Sequence, residues 1–192
     1  MKLHYAGKYD GDESKLPQRE HPKGSVPFKE PEHKKFALIA NGGAVIVAIL
    51  LFMVVLKVGV SYIRQGSMAF MIGSILAVLV LFPHEFLHGI CFKGDVWLYT
   101  NFSKGMLFVV GPEDMSKAHF VFMSLLPNIV FGFIPFIVFL FFPKLTILGV
   151  FGALSIAMGF GDYINVFNAI TQMPKGAKTY LSGFHSYWYK PE

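Results

Sequence analysis

The chain has 192 residues, of which 54% are hydrophobic and 15% charged, with a formal net charge of +5. A soluble domain carries about a quarter charged residues, so composition argues against an ordinary water-soluble enzyme. The single cysteine, Cys91, excludes an intrachain disulfide framework. In so apolar a chain the excess of positive charge reads as basic membrane flanks, with no nucleic-acid partner expected.

Residues 1–35 are polar, with Pro17, Pro22, Pro27 and Pro31 among mixed charges. They predict a cytoplasmic tail without a core of its own, largely disordered. Four stretches follow that are nearly free of charge. No Asp, Glu, Lys or Arg occurs from Phe36 to Leu56, from Gln65 to His84, or from Ala118 to Pro143. From Leu145 to Pro174 the only charged residue is Asp162. Each stretch reaches the roughly 20 residues that a helix needs to cross a bilayer. The predicted spans are about 36–58, 67–92, 119–142 and 145–170, with Pro127 and Pro135 as kinks in the third. A short connection holding Lys57, Arg64 and Gly66 joins the first two spans.

Between the second and third spans lie two β-prone runs, 96–100 and 106–110, around a turn containing Ser103, Lys104 and Gly105. They predict a hairpin, with Asp114 or Ser116 capping the next helix. Residues 171–192 end in the aromatic cluster Phe184 to Tyr189, expected at the lipid headgroups or packed under the bundle. The fold expected is therefore an all-α membrane protein of four transmembrane helices with a short hairpin between helices 2 and 3. Its parts are a tail at 1–35, a membrane domain at 36–170 and an interfacial or cytoplasmic tail at 171–192. The first tail, the 93–117 loop and the last tail hold eight, three and three basic residues. The opposite side has Lys57, Arg64 and Lys144 alone. The positive-inside rule puts both termini of a multi-pass cell-membrane protein in the cytoplasm.

The chemistry lies in His84-Glu85-Phe86-Leu87-His88. Histidines four apart share one face of a helix and can grip one ion. Zinc binds neutral imidazole and in catalytic sites keeps a position open for water. Glu85, beside the first ligand, is placed to act as general base. A third ligand is needed, and Asp162 is the candidate, because an intramembrane carboxylate is costly unless paired or metal-bound. His84 and Asp162 each lie about 12 Å deep, at 1.5 Å per residue from the cytoplasmic ends of their spans. Gly152, Ser155 and Gly159 share the face of Asp162 and allow close helix approach. Asn165, one turn on, is a candidate to orient the carboxylate. Asn128 is a candidate oxyanion donor, or a side chain that satisfies carbonyls freed by Pro127. His119 and the tail histidines at 4, 21, 33 and 185 read as surface residues. Proteolysis requires an extended substrate, which the edge of the 96–110 hairpin could hold by strand addition.

These motifs resemble the small bacterial putative zincin peptidase family, integral membrane proteins with HExxH. The resemblance runs over most of residues 35–190, through Pro83 to Gly89, Gly161-Asp162 and the segment from Met173 to Trp188. The site-2 protease architecture is more distantly similar. The resemblance implies one zinc ion on His84, His88 and, by position, Asp162, with Glu85 catalytic. It implies an intramembrane metalloprotease whose partners are the lipid bilayer and a transmembrane segment of a substrate protein, with room for a homo-oligomer. The competing readings are an inactive metal-binding regulator or scaffold, a haem carrier and a proton-coupled transporter.

Overall fold

The computed structural model describes residues 1–59, 66–104 and 106–191. Arg64 and the expected turn residue Gly105 lie outside them. Chain contacts divide the protein into two compact units, one of residues 1–30, 85–124 and 165–192, the other of residues 31–84 and 125–164.

The second unit is helical. It holds α1 (His33–Gly59), α2 (Gly66–Leu79), the start of α3 (Leu81–Ile90) and the end of α4 (Lys117–Pro127). A π-helical stretch follows at Asn128–Phe133, then α5 (Ile134–Phe141), α6 (Thr146–Met158) and the start of α7 (Phe160–Gln172). Its core is Val55, Phe136, Phe139, Val150, Ala153 and Ile156. Small residues let backbones meet. A Cβ at Gly152 would lie 2.7 Å from the backbone nitrogen of Phe136 and 2.8 Å from the Gly132 carbonyl oxygen. Outward faces are apolar, as at Leu38, Ile46, Met53, Met71 and Phe141. This pattern suits a lipid solvent.

Among the described residues, three helical segments are long and apolar enough to cross a membrane: Lys34–Gly59, Met68–Ile90 and Lys117–Phe141. The second contains a turn at Val80 between α2 and α3. Pro83, which has no N–H to continue the helical ladder, stands three residues later. The expected fourth helix is not regular. It is two 13-residue helices, α6 and α7, bent by 49° at Gly159. Each alone measures about 20 Å, short of the roughly 30 Å hydrocarbon core. The expectation of four regular transmembrane helices is corrected to three such helices plus this bent pair.

The first unit overturns the all-α expectation. The seven strands found among the described residues all belong to it. One sheet has the order β1-β3-β4, with β1 (Lys2–Lys8) parallel to β3 (Asp95–Asn101) and β3 antiparallel to β4 (Met106–Val110). The other has the order β2-β7-β6-β5, from Val26–Pro27, His185–Tyr189, Lys178–Ser182 and Met115–Ser116. The hairpin at 96–110 is present, but as part of a larger sheet.

The N-terminal residues are folded, contrary to the expected disorder. β1 pairs with β3, while Tyr9, Leu16 and Phe28 are buried. Tyr9 and Leu16 join Tyr99 and Val110 in one core, and Phe28 joins Phe92, Val96, Met115 and Met123 in another. The C-terminal aromatics form strand β7, turned back on β6 through Gly183 and Phe184, with Gly183 at a φ of 62° that suits glycine. Ser116 caps α4 by accepting a hydrogen bond from the His119 backbone N–H at 3.2 Å.

Candidate metal centre

α3 carries the histidine motif. Pro83 sits in its first turn, where a missing N–H is tolerated, and His84 closes the next turn by donating its N–H to the Val80 carbonyl at 2.8 Å. His84, Glu85 and His88 all lie on this one continuous helix, so pitch alone sets their relation. Their ligand atoms lie within 4.8 Å of one another. His88 is buried, 6% exposed.

His88 is oriented by a backbone oxygen. Its Nδ1 lies 2.9 Å from the Met123 carbonyl oxygen. A carbonyl only accepts, so Nδ1 carries the proton and Nε2 keeps its lone pair. This is the usual support for a metal-binding histidine.

Asp162 meets His84. Its Oδ2 lies 3.2 Å from His84 Nε2, with both side chains largely buried. Asp162 also stands in the first turn of α7, where the helix dipole favours a negative charge. The bend at Gly159 creates that N-terminus between α6 and α7. Asn128 Nδ2 donates to the same Oδ2 at 2.7 Å. Tyr163 Oη donates to Asn128 Oδ1 at 3.3 Å, which fixes the amide with its nitrogen toward the carboxylate. A Cβ at Gly159 would fall on the Asn128 amide. Glycine at the bend therefore leaves room for the residue that holds Asp162.

The donor set suits zinc. Imidazole and carboxylate are ligands that zinc takes at about 2.0–2.2 Å. Two such ligands in tetrahedral array lie about 3.3 Å apart, and His84 Nε2 and Asp162 Oδ2 are 3.2 Å apart.

The family described as "Putative zincin peptidase" matches residues 77–178. That stretch covers more than half of the chain and includes the histidine motif, Asn128 and Asp162. The chain belongs to this family. No curated protein and no solved structure matches it. Membership in the zincin peptidase family makes the function metallopeptidase-like and implies zinc, for which His84, Glu85 and His88 form a candidate site. The family match carries no similarity to site-2 proteases.

Two sequence expectations changed at the site. Asn165 makes no side-chain hydrogen bond among the described residues, and Asn128 supplies the bond to Asp162 instead. Asn128 is fully buried and engaged on both ends of its amide, which suits support of a carboxylate better than an oxyanion. Tyr163 and the Met123 carbonyl lie outside the sequence expectations, and Gly159, expected as a small packing residue, also marks the bend. The Met123 carbonyl was open to reading, because a proline at 127 removes the helical donor to carbonyl 123.

Proposed function

We propose that the protein is a zinc-dependent endopeptidase that cleaves a membrane-protein segment within the cytoplasmic half of the bilayer, with both of its own termini cytoplasmic. His84, His88 and Asp162 hold the metal, and Glu85 is the general base. The observation that carries this reading is the close cluster of His84, Glu85 and His88 on a helix of an apolar span.

When bound, zinc polarises the scissile carbonyl and acidifies a water. Glu85 takes one proton from that water as its oxygen bonds to the carbonyl carbon. It then returns the proton to the amide nitrogen as the C–N bond breaks, giving a carboxylic acid and an amine. His88 holds Nε2 toward the site through its bond to Met123. Asn128 keeps the Asp162 carboxylate in place. α3 leads within four residues into β3, and β4 forms one edge of that sheet. An unwound substrate segment could add to such an edge.

The test pairs metal analysis with proteomics. Purified wild type and Glu85→Gln should each hold about one zinc, and His88→Ala should hold far less. Membrane proteomes of cells carrying wild type or Glu85→Gln should differ in a cleaved membrane protein. Retained zinc with identical proteomes would replace the peptidase reading with that of a metal-binding regulator.

A further inference from the structure

Pro127 lies in the interior of the Lys117–Phe141 span, where proline costs a helix about 3 kcal/mol. In a regular helix the Met123 carbonyl would accept the N–H of residue 127. Proline has none. A carbonyl without a donor is costly in hydrocarbon, and here the donor at the Met123 oxygen is His88 Nδ1, at 2.9 Å.

We infer that Pro127 is a positioning residue for the metal centre: by withholding its N–H it leaves the Met123 carbonyl to His88, which fixes the His88 tautomer and presents Nε2 to zinc. The inference rests on the metal-centre reading above. The device also works in reverse, since His88 satisfies the carbonyl that Pro127 frees. An alanine at 127 would supply a backbone N–H and draw the carbonyl toward the helix axis. The next residue, Asn128, bonds Asp162. One break in one helix thus supports two candidate ligands from adjacent positions.

Two measurements on the full-length protein in detergent test this. The first is zinc affinity by competition with a chelator. Pro127→Ala should bind zinc about 10-fold or more weakly, the size usual for losing a ligand's supporting hydrogen bond. Pro135→Ala, at the other proline of the span, should bind like wild type. The second is nitrogen-15 spectroscopy of the metal-free protein labelled at histidine, with His88 assigned from His88→Ala. Wild type should show the Nδ1–H tautomer, and Pro127→Ala a mixture. Unchanged affinity together with an unchanged tautomer in Pro127→Ala would overturn the inference. So would an Nε2–H tautomer in wild type, a result that needs no variant to fold. Zinc binding that survives His88→Ala would be a different failure, because it removes the metal reading itself.

Discussion

At the scale of single residues, the site depends on side chains that never need to touch a substrate. Asn128 is held by Tyr163 and in turn holds Asp162, with Gly159 leaving it space. Gly159→Ala would force the Asn128 amide aside. The expected loss is about 1–3 kcal/mol of stability, as for other overpacked positions, read by unfolding in detergent. A variant as stable as wild type would show that the helices can part at the bend. Tyr163→Phe removes one hydrogen bond and should cost about 1 kcal/mol. It also frees the amide to rotate, so zinc affinity should fall with it, and a stability loss with unchanged affinity would separate Tyr163 from the site. The clustering of His84, Glu85 and His88 could be read directly because a four-residue spacing on a helix is local geometry. The approach of Asp162 to His84 could be read from depth and cost. That Asn128 bonds Asp162 could not be read, because no local pattern announces the bend at Gly159 that precedes the carboxylate.

At the scale of elements, the hairpin 96–110 was legible because its strands are close in sequence and β-prone. β1 was not. Its sequence, Lys2 to Lys8, mixes charge with single apolar residues, and its partner β3 begins at Asp95. The signal in the last hairpin was present: β-prone runs flank Gly183, yet the aromatics suggested a membrane interface instead. β1 is pinned to β3 by His4, whose Nε2 lies 2.6 Å from Asp95 Oδ1 and whose ring stacks on Trp97. The hydrogen bond to His4 holds the Asp95 carboxyl below its usual range. A carboxyl whose folded pKa is depressed supports the fold above its unfolded pKa and loses that support as pH falls through the folded value. β1 should therefore loosen on acidification below about pH 4. Hydrogen exchange of the β1 amides at pH 6 and pH 3.5 would detect it, and Asp95→Asn should flatten the difference. Arg19 secures the same N-terminal stretch further along. It donates to the Pro112 carbonyl and to Asp114, each at 2.9 Å, and lies over the Tyr180 ring. Arg19→Ala should cost about 1.5–3 kcal/mol, the range for hydrogen bonds to charged groups, by the same unfolding assay.

At the scale of the whole molecule, composition announced the long apolar helices and understated the sheets. A hydropathy reading counts apolar residues, so it found the helical unit and treated the polar ends as tails. The ends instead build one β-rich unit with the loop that follows the motif. Metal should matter to stability at this scale, because a ligand held only by the folded state raises stability by mass action. At free zinc 100-fold above its dissociation constant the gain is about 2.7 kcal/mol. Chelation should lower the unfolding temperature of wild type and leave that of His88→Ala unmoved. Equal responses in the two would place the stabilising ion elsewhere.

The β-rich unit is drawn from three separate stretches, residues 1–30, 85–124 and 165–192. β1 is made well before its partner, which follows the first two apolar segments, and β6 and β7 come later still. At about 5–20 residues per second of synthesis, the opening strand waits several seconds for its neighbour. The second sheet cannot close until His185–Tyr189 has been made, because β7 stands between β2 and β6. Synthesis therefore separates the two units in time: a nascent chain stalled before His185 has every residue of its helical unit but an incomplete sheet, and is a natural target for quality control.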